Sequence, residues 1–245
     1  MKSFHQINRM LGLVAMVAAV SALSKPVRVA IDLSFGSDMN RRERTSLARQ
    51  LQRSIGANRR CTSPLDLHFT SFAMARTEHS GECLPRDEAQ IRAWQRVDSL
   101  TLTDEPPAVK WRPEDLVFLS PDAAEPLTSL DPERVYVIGG IVDRQVDPGL
   151  SLGSAARAGA VARRLPLREH AERADAHPIL NVDACVQILA DVHGGVPWPD
   201  AIARAMPRRH IRVRELEEER RRTELRAHQA HQPADDHGRI HSREC

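Results

Sequence analysis

The stretch "VYVIGGIVDR", residues 135 to 144, decides how this chain is read. Four apolar residues run straight into Gly139 and Gly140, two more apolar residues follow, and then comes a carboxylate, Asp143. A short continuous apolar run bounded by turn residues is the pattern of a strand buried on both faces. A bare glycine pair at its carboxyl end lets another backbone or a ligand approach closely. Spacing alone leaves an ordinary turn and a ligand site both open. A Rossmann fingerprint is excluded, because no G-x-G-x-x-G follows a strand, and so is a P-loop.

Working outward, the same strand style recurs. "VRVAIDLSF" (27–35) alternates Val27, Val29 and Ile31 and ends on Asp32. "LDLHFTSF" (65–72) and "DLVFLSPDA" (115–123) follow, the latter broken by Ser120-Pro121-Asp122. "RRLPL" (163–167) reads as one more short strand. Between them lie helical patterns. In residues 37–56 Leu47, Leu51 and Ile55 recur every fourth position, with Ser37 or Asp38 as cap and Gly56 as stop. Residues 150–162, 179–192 and 198–206 give three shorter helices, whereas 74–114 are weakly patterned. Strands alternating with helices predict an α/β domain with a mostly parallel sheet.

Composition narrows the function. With 245 residues and 28% charged side chains, the chain can bury a sizeable core under a wet surface. The formal net charge of +2 hides an asymmetry. Seven arginines stand against Asp38 and Glu43 between residues 38 and 60, while from Glu78 to Glu133 acids outnumber bases thirteen to five. The basic block suits a polyanion. The four cysteines (Cys61, Cys83, Cys185, Cys245) form no C-x-x-C pair and have no zinc-ligand spacing, which points to a reducing compartment and no structural metal. Residues 1–26 carry an apolar run from Met10 to Leu23, short for a membrane span, and read as a targeting segment or a mis-assigned start. The main folded body would then occupy 27–210. A charged helix and a His-, Asp- and Arg-rich tail without apolar period occupy 211–245.

The ordered set "VYVIGGIVDR", "LSPDA", "RRLPL" and "ILNVDACVQIL", with "AIDLSF", "SLARQLQRS" and "GANRR" upstream, resembles one family. It is similar to the eukaryotic and archaeal tRNA N1-methyltransferases that act on the purine at position 9, members of the knotted SPOUT superfamily. The similarity runs from about Val27 to Arg209 and is poor over 74–112.

The resemblance implies an α/β domain with a deep trefoil knot, S-adenosyl-L-methionine as cofactor, and N1-methylguanine as product, with N1-methyladenine or a scaffold role in mitochondrial tRNA processing as alternatives. It implies a cofactor pocket from Leu119, Gly139, Asp143, Arg144, Gln145, Val146, Asp147, Ser151, Leu165, Pro178, Ile179 and Leu180, with Asp143 also at the proposed catalytic position. It implies tRNA contacts through Gln50, Arg53, Arg59 and Arg60, a monomer without membrane or metal partners, and an address in nucleus or cytoplasm, or in the mitochondrion. Two features depart from the family: an apolar segment replaces its basic N-terminal arm, and Asp183-Ala184 interrupt its usual residues near "ILNVDACVQIL".

Overall fold

The computed structural model describes residues 25–35, 39–75, 88–142, 149–170 and 180–206. Apart from Met206, these belong to one compact unit ending at Ala205. The knotted threading implied above depends on residues 143–148 and 171–179, and the targeting segment and charged tail on 1–24 and 207–245. All of these lie outside the described residues.

Six parallel strands form one sheet: β1 (Arg28–Asp32), β2 (Asp66–Thr70), β3 (Leu100–Leu102), β4 (Leu116–Leu119), β5 (Val135–Gly139) and β6 (Val161–Arg163). Their spatial order is β3-β2-β1-β5-β4-β6. Parallel neighbours need crossover connections, and three of the longer helices lie in them: α1 (Arg41–Arg60) between β1 and β2, α2 (Glu88–Gln95) between β2 and β3, and α3 (Leu150–Ala158) between β5 and β6, while α4 (Val182–His193) and α5 (Trp198–Ala205) follow the last strand. Helices on the faces explain why the central strands read as unbroken apolar runs. Every residue of β4 and four of the five in β5 are buried.

Side-chain alternation divides the core. Ala30, Leu116, Phe118, Val135 and Val137 pack together with Ala155 of α3. The alternate positions, Val29, Ile31, Tyr136 and Ile138, are equally buried and point to the opposite face. Helix α4 reaches β5 and packs between α1 and α5. The expected stripe of α1 is fully inside: Leu47 and Leu51 have no exposed surface and Ile55 is 4% exposed. Each such side chain contributes roughly 1.5–3 kcal/mol.

Several boundaries differ from the sequence reading, among them the helix expected over 150–162, which ends at Ala158 and gives way to β6. Helix α1 starts after Asn40, not at Ser37 or Asp38, because Asn40 and Glu43 form a reciprocal capping box: Asn40 Oδ1 accepts from Arg42 and Glu43 N–H, and Glu43 Oε2 accepts from Asn40 N–H. It continues through Gly56 to Arg60, held at that end by Asn58. The buried Asn58 amide donates to Leu65 O (2.9 Å) and accepts from Leu65 N–H (2.8 Å), fixing the helix to the entry of β2. The last strand lies at 161–163, not 163–167, and β3 emerges from a stretch without pattern.

Candidate functional site

The carboxyl ends of the strands form one rim. Asp32 is in register with Thr70 on one side and Gly139 on the other, and Leu119 is in register with Ile138 and Arg163. Such a rim is where open α/β sheets place ligands.

The glycine pair answers two packing demands. Gly140 N–H donates to Asp32 O at 2.7 Å. A Cβ at Gly140 would stand 2.7 Å from that same oxygen and 2.7 Å from Leu33 Cδ2, a separation real Cβ atoms do not adopt. Only glycine lets β5 leave the sheet along β1. Gly139 is half-buried and has a looser neighbourhood: its Cβ would meet Ser151 Oγ at 3.2 Å and Phe35 Cε2 at 3.5 Å. Ser151, in the first turn of α3, is thus brought against the strand end.

The loop after β4 orients that helix. Ser120 N–H donates to Arg163 O (3.0 Å), Ser120 Oγ accepts from Asp122 N–H, and Asp122 Oδ2 accepts from Gly149 N–H at 2.8 Å. Gly149 is the N-cap of α3 with φ +85°, a conformation that suits glycine, and Asp122 places a carboxylate at the positive end of the helix. The loop after β6 is tied in by Leu127 N–H donating to Arg164 O (2.8 Å) and by the Arg164 guanidinium, which grips Glu169 with two bonds of 2.7 and 2.6 Å. Hydrogen bonding from Arg164 holds the Glu169 carboxyl down at about 2, against 4.5 ordinarily. Leu165 is buried beside this pair.

Leu119, Gly139, Ser151 and Leu165 therefore gather at the rim. Leu180 precedes Asn181, the N-cap of α4, a helix that packs on α1 and reaches β5. Asp143, Arg144, Gln145, Val146, Asp147, Pro178 and Ile179 lie outside the described residues. Asp32 joins the set although the sequence marked it only as a strand end. Its Oδ1 accepts from Ser71 Oγ (2.8 Å) and Ser34 N–H (3.1 Å). Ser71 holds φ +53°, the one described non-glycine residue with positive φ, at the end of β2. Local strain of this kind collects at ligand-binding rims.

On the basic helix the expectations divide. Arg59 and Arg60 are exposed at the end of α1. Gln50 is 2% exposed, and its Oε1 accepts from Val182 N–H at 2.8 Å, so it caps α4 and cannot meet a phosphate directly. Arg53 pairs with Asp183, its Nε 2.5 Å from Oδ2. Neither partnership could be read from the sequence, since they join residues 132 and 130 positions apart. Among the described residues no cluster of His, Cys, Asp and Glu could hold a metal, and no helix is long and apolar enough to cross a membrane.

The architecture has solved counterparts. The full-length spTrm10–SAH complex superposes with TM-score 0.63 at 28% identity, covering 76% of this chain and 99% of that one. A dual-specific Trm10 from Thermococcus kodakaraensis shares the fold with TM-score 0.53 at 20% identity, covering 74% and 99%. The six-stranded parallel sheet is thus that of a SPOUT-type fold. The family model described as tRNA (guanine(9)-N(1))-methyltransferase TRM10/TRM10A matches residues 13–211, and the chain belongs to that family. Similar relatives include tRNA methyltransferase 10 homolog C of Xenopus tropicalis, 30% identical over 191 residues (78% of this chain, 42% of that protein). The tRNA (guanine(9)-N1)-methyltransferase of Schizosaccharomyces pombe is 30% identical over 185 residues (75% and 59%). The chain spans about half the length of the curated relatives it matches.

Proposed function

We propose that this protein uses S-adenosylmethionine to methylate N1 of guanine at position 9 of tRNA. The observation that carries the reading is the Gly139-Gly140 strand end beside Asp32, in a chain of this family. The rim fits the cofactor: Gly139 leaves room where a side chain would reach Ser151, while Leu119, Leu165 and Leu180 offer apolar walls. When bound, the cofactor supplies an electrophilic methyl group on sulfonium.

The chain's own task is then orientation and proton handling. Guanine N1 carries a proton at neutral pH, and its lone pair must be available for the attack. Asp143, three residues beyond Gly140, would accept that proton. The rim would hold the two reactants in line, replacing a bimolecular encounter. Arg59 and Arg60, with Arg49 and Arg42 on α1, supply exposed cations for phosphates of the tRNA. The trefoil knot implied by the family belongs to this proposal, as does action as a monomer in nucleus or cytoplasm.

The test is methyl transfer to unmodified tRNA transcripts carrying G or A at position 9, with the modified base mapped. Methylation confined to G9 supports the proposal. Methylation of A9 would change the product assigned. tRNA binding without turnover on either transcript would make the chain a scaffold and overturn the enzymatic reading.

A further inference from the structure

Resting on the cofactor site proposed above, we infer that Gln50, Arg53 and Asp183 form a brace that positions the segment Leu180–Val182 for cofactor binding, so that Gln50 and Arg53 are positioning residues for the cofactor and not phosphate ligands.

The argument begins with the head of α4. The first N–H groups of any helix lack intrahelical partners. Here the N-cap, Asn181, makes no side-chain bond to them. The missing acceptor comes from another helix: Gln50 Oε1 takes Val182 N–H at 2.8 Å. The Gln50 side chain is itself held, because its Nε2 donates to Ser46 Oγ (3.3 Å). At 2% exposure it has no surface to offer a phosphate.

Three residues along α1, on the same face, Arg53 makes the second tie. Its Nε lies 2.5 Å from Asp183 Oδ2 and its second nitrogen 3.5 Å from Oδ1. Asp183 is the acid in the first turn of α4, where the helix dipole favours a negative charge. Its side chain is 20% exposed and that of Arg53 54%, so this tie is partly screened, unlike the buried amide. Consecutive residues 182 and 183 are therefore each held from α1, and the backbone leading into them is Asn181 and Leu180. A segment fixed in its bound conformation before the ligand arrives binds more tightly. The brace also gives Asp183, which departs from the family pattern, a specific partner in this chain.

Isothermal titration with S-adenosylhomocysteine, tRNA binding at several salt concentrations, and amide hydrogen exchange at Val182 test the assignment on the full chain. Gln50→Leu should weaken S-adenosylhomocysteine binding by about 2- to 12-fold, the affinity equivalent of one hydrogen bond's net worth, and speed exchange at Val182. Gln50→Glu keeps an acceptor and should restore both. Arg53→Ala and Asp183→Ala should each weaken cofactor-product binding, with the double variant no worse than the single ones, and the exchanged pair Arg53→Asp with Asp183→Arg should recover part of the loss. Their effect should fade at high salt, whereas that of Gln50→Leu should persist. The inference is overturned if these variants bind S-adenosylhomocysteine like wild type while Arg53→Ala weakens tRNA and Asp183→Ala, by releasing a cation, strengthens it. Failure of the wild-type chain to bind S-adenosylhomocysteine would instead refute the proposed function, and unchanged exchange at Val182 in Gln50→Leu would still refute the brace.

Discussion

Replacing Gly140 by alanine adds one methyl group where β5 leaves the sheet against the backbone of β1. The new Cβ would lie 2.7 Å from Asp32 O and 2.7 Å from Leu33 Cδ2, with Ile31 Cγ2 at 3.2 Å. The leucine methyl can turn aside, but Asp32 O is backbone in the middle of the sheet and is also the acceptor for Gly140 N–H. Relief therefore separates β5 from β1 and lengthens that hydrogen bond. Overpacking of this kind costs about 1–3 kcal/mol, and a weakened backbone bond adds roughly 0.5–1.5 kcal/mol. A total near 2–4 kcal/mol corresponds to a fall in Tm of about 4–16 °C for a domain of this size. Gly139→Ala is the internal control for stability. There the nearest atom is Ser151 Oγ at 3.2 Å, the end of a rotatable side chain, so Tm should move little while S-adenosylhomocysteine binding weakens. Differential scanning fluorimetry and titration calorimetry on both variants measure the contrast. A Gly140→Ala protein melting within about 2 °C of wild type would refute the reasoning, because the backbone clash would have been absorbed without cost.

Other outcomes follow from the same geometry. Asp143→Asn should lower single-turnover methylation of G9 transcripts on the order of 10²–10⁴-fold with substrate affinities little changed, the usual worth of a general base; near-wild-type rates at neutral pH would leave the residue a purely structural role. Arg59→Ala with Arg60→Ala should flatten the dependence of tRNA binding on salt, by somewhat under one unit of log–log slope per lost phosphate contact. The Glu169 carboxyl sits at about 2 in the folded chain and at 4.5 when free, so its pairing with Arg164 stabilises the protein fully above the free value and is lost as pH falls toward 2. Urea midpoints at about pH 5 and about pH 2.5 should thus converge more for Glu169→Gln than for wild type, modestly, since water reaches the glutamate.

Much of the fold was local and therefore legible. Val29 and Ile31, Leu67 and Phe69, and the run Val135–Ile138 declared buried strands, since a strand covered on both faces is made mostly of apolar residues. Leu47, Leu51 and Ile55 declared one face of α1 by period alone. The ordered motifs carried the family. Where local signals were weak the reading slipped. Leu100–Leu102 is a three-residue edge strand in charged surroundings, too short for a period. Leu165 is buried like a strand residue yet lies past the end of the β6 ladder, and Val161, within that ladder, is 45% exposed. Gly56 suggested a helix end, but Asn58 holds the helix on to Arg60 through a partner seven residues ahead.

The strand order, and everything that depends on it, was decided only by tertiary structure. Hydrophobic pattern says that a strand is buried but not beside which neighbour, because every apolar strand offers the same backbone ladder. Only the order β3-β2-β1-β5-β4-β6 sets Gly140 against Asp32 and so explains why the pair of glycines must be there. Likewise the composition of α1 announced an arginine-rich face, and family likeness pointed Gln50 and Arg53 at RNA. Their side chains turn instead to Val182 and Asp183, since a helix terminus with unpaired N–H groups takes whatever acceptor the packing of α1 on α4 brings to it.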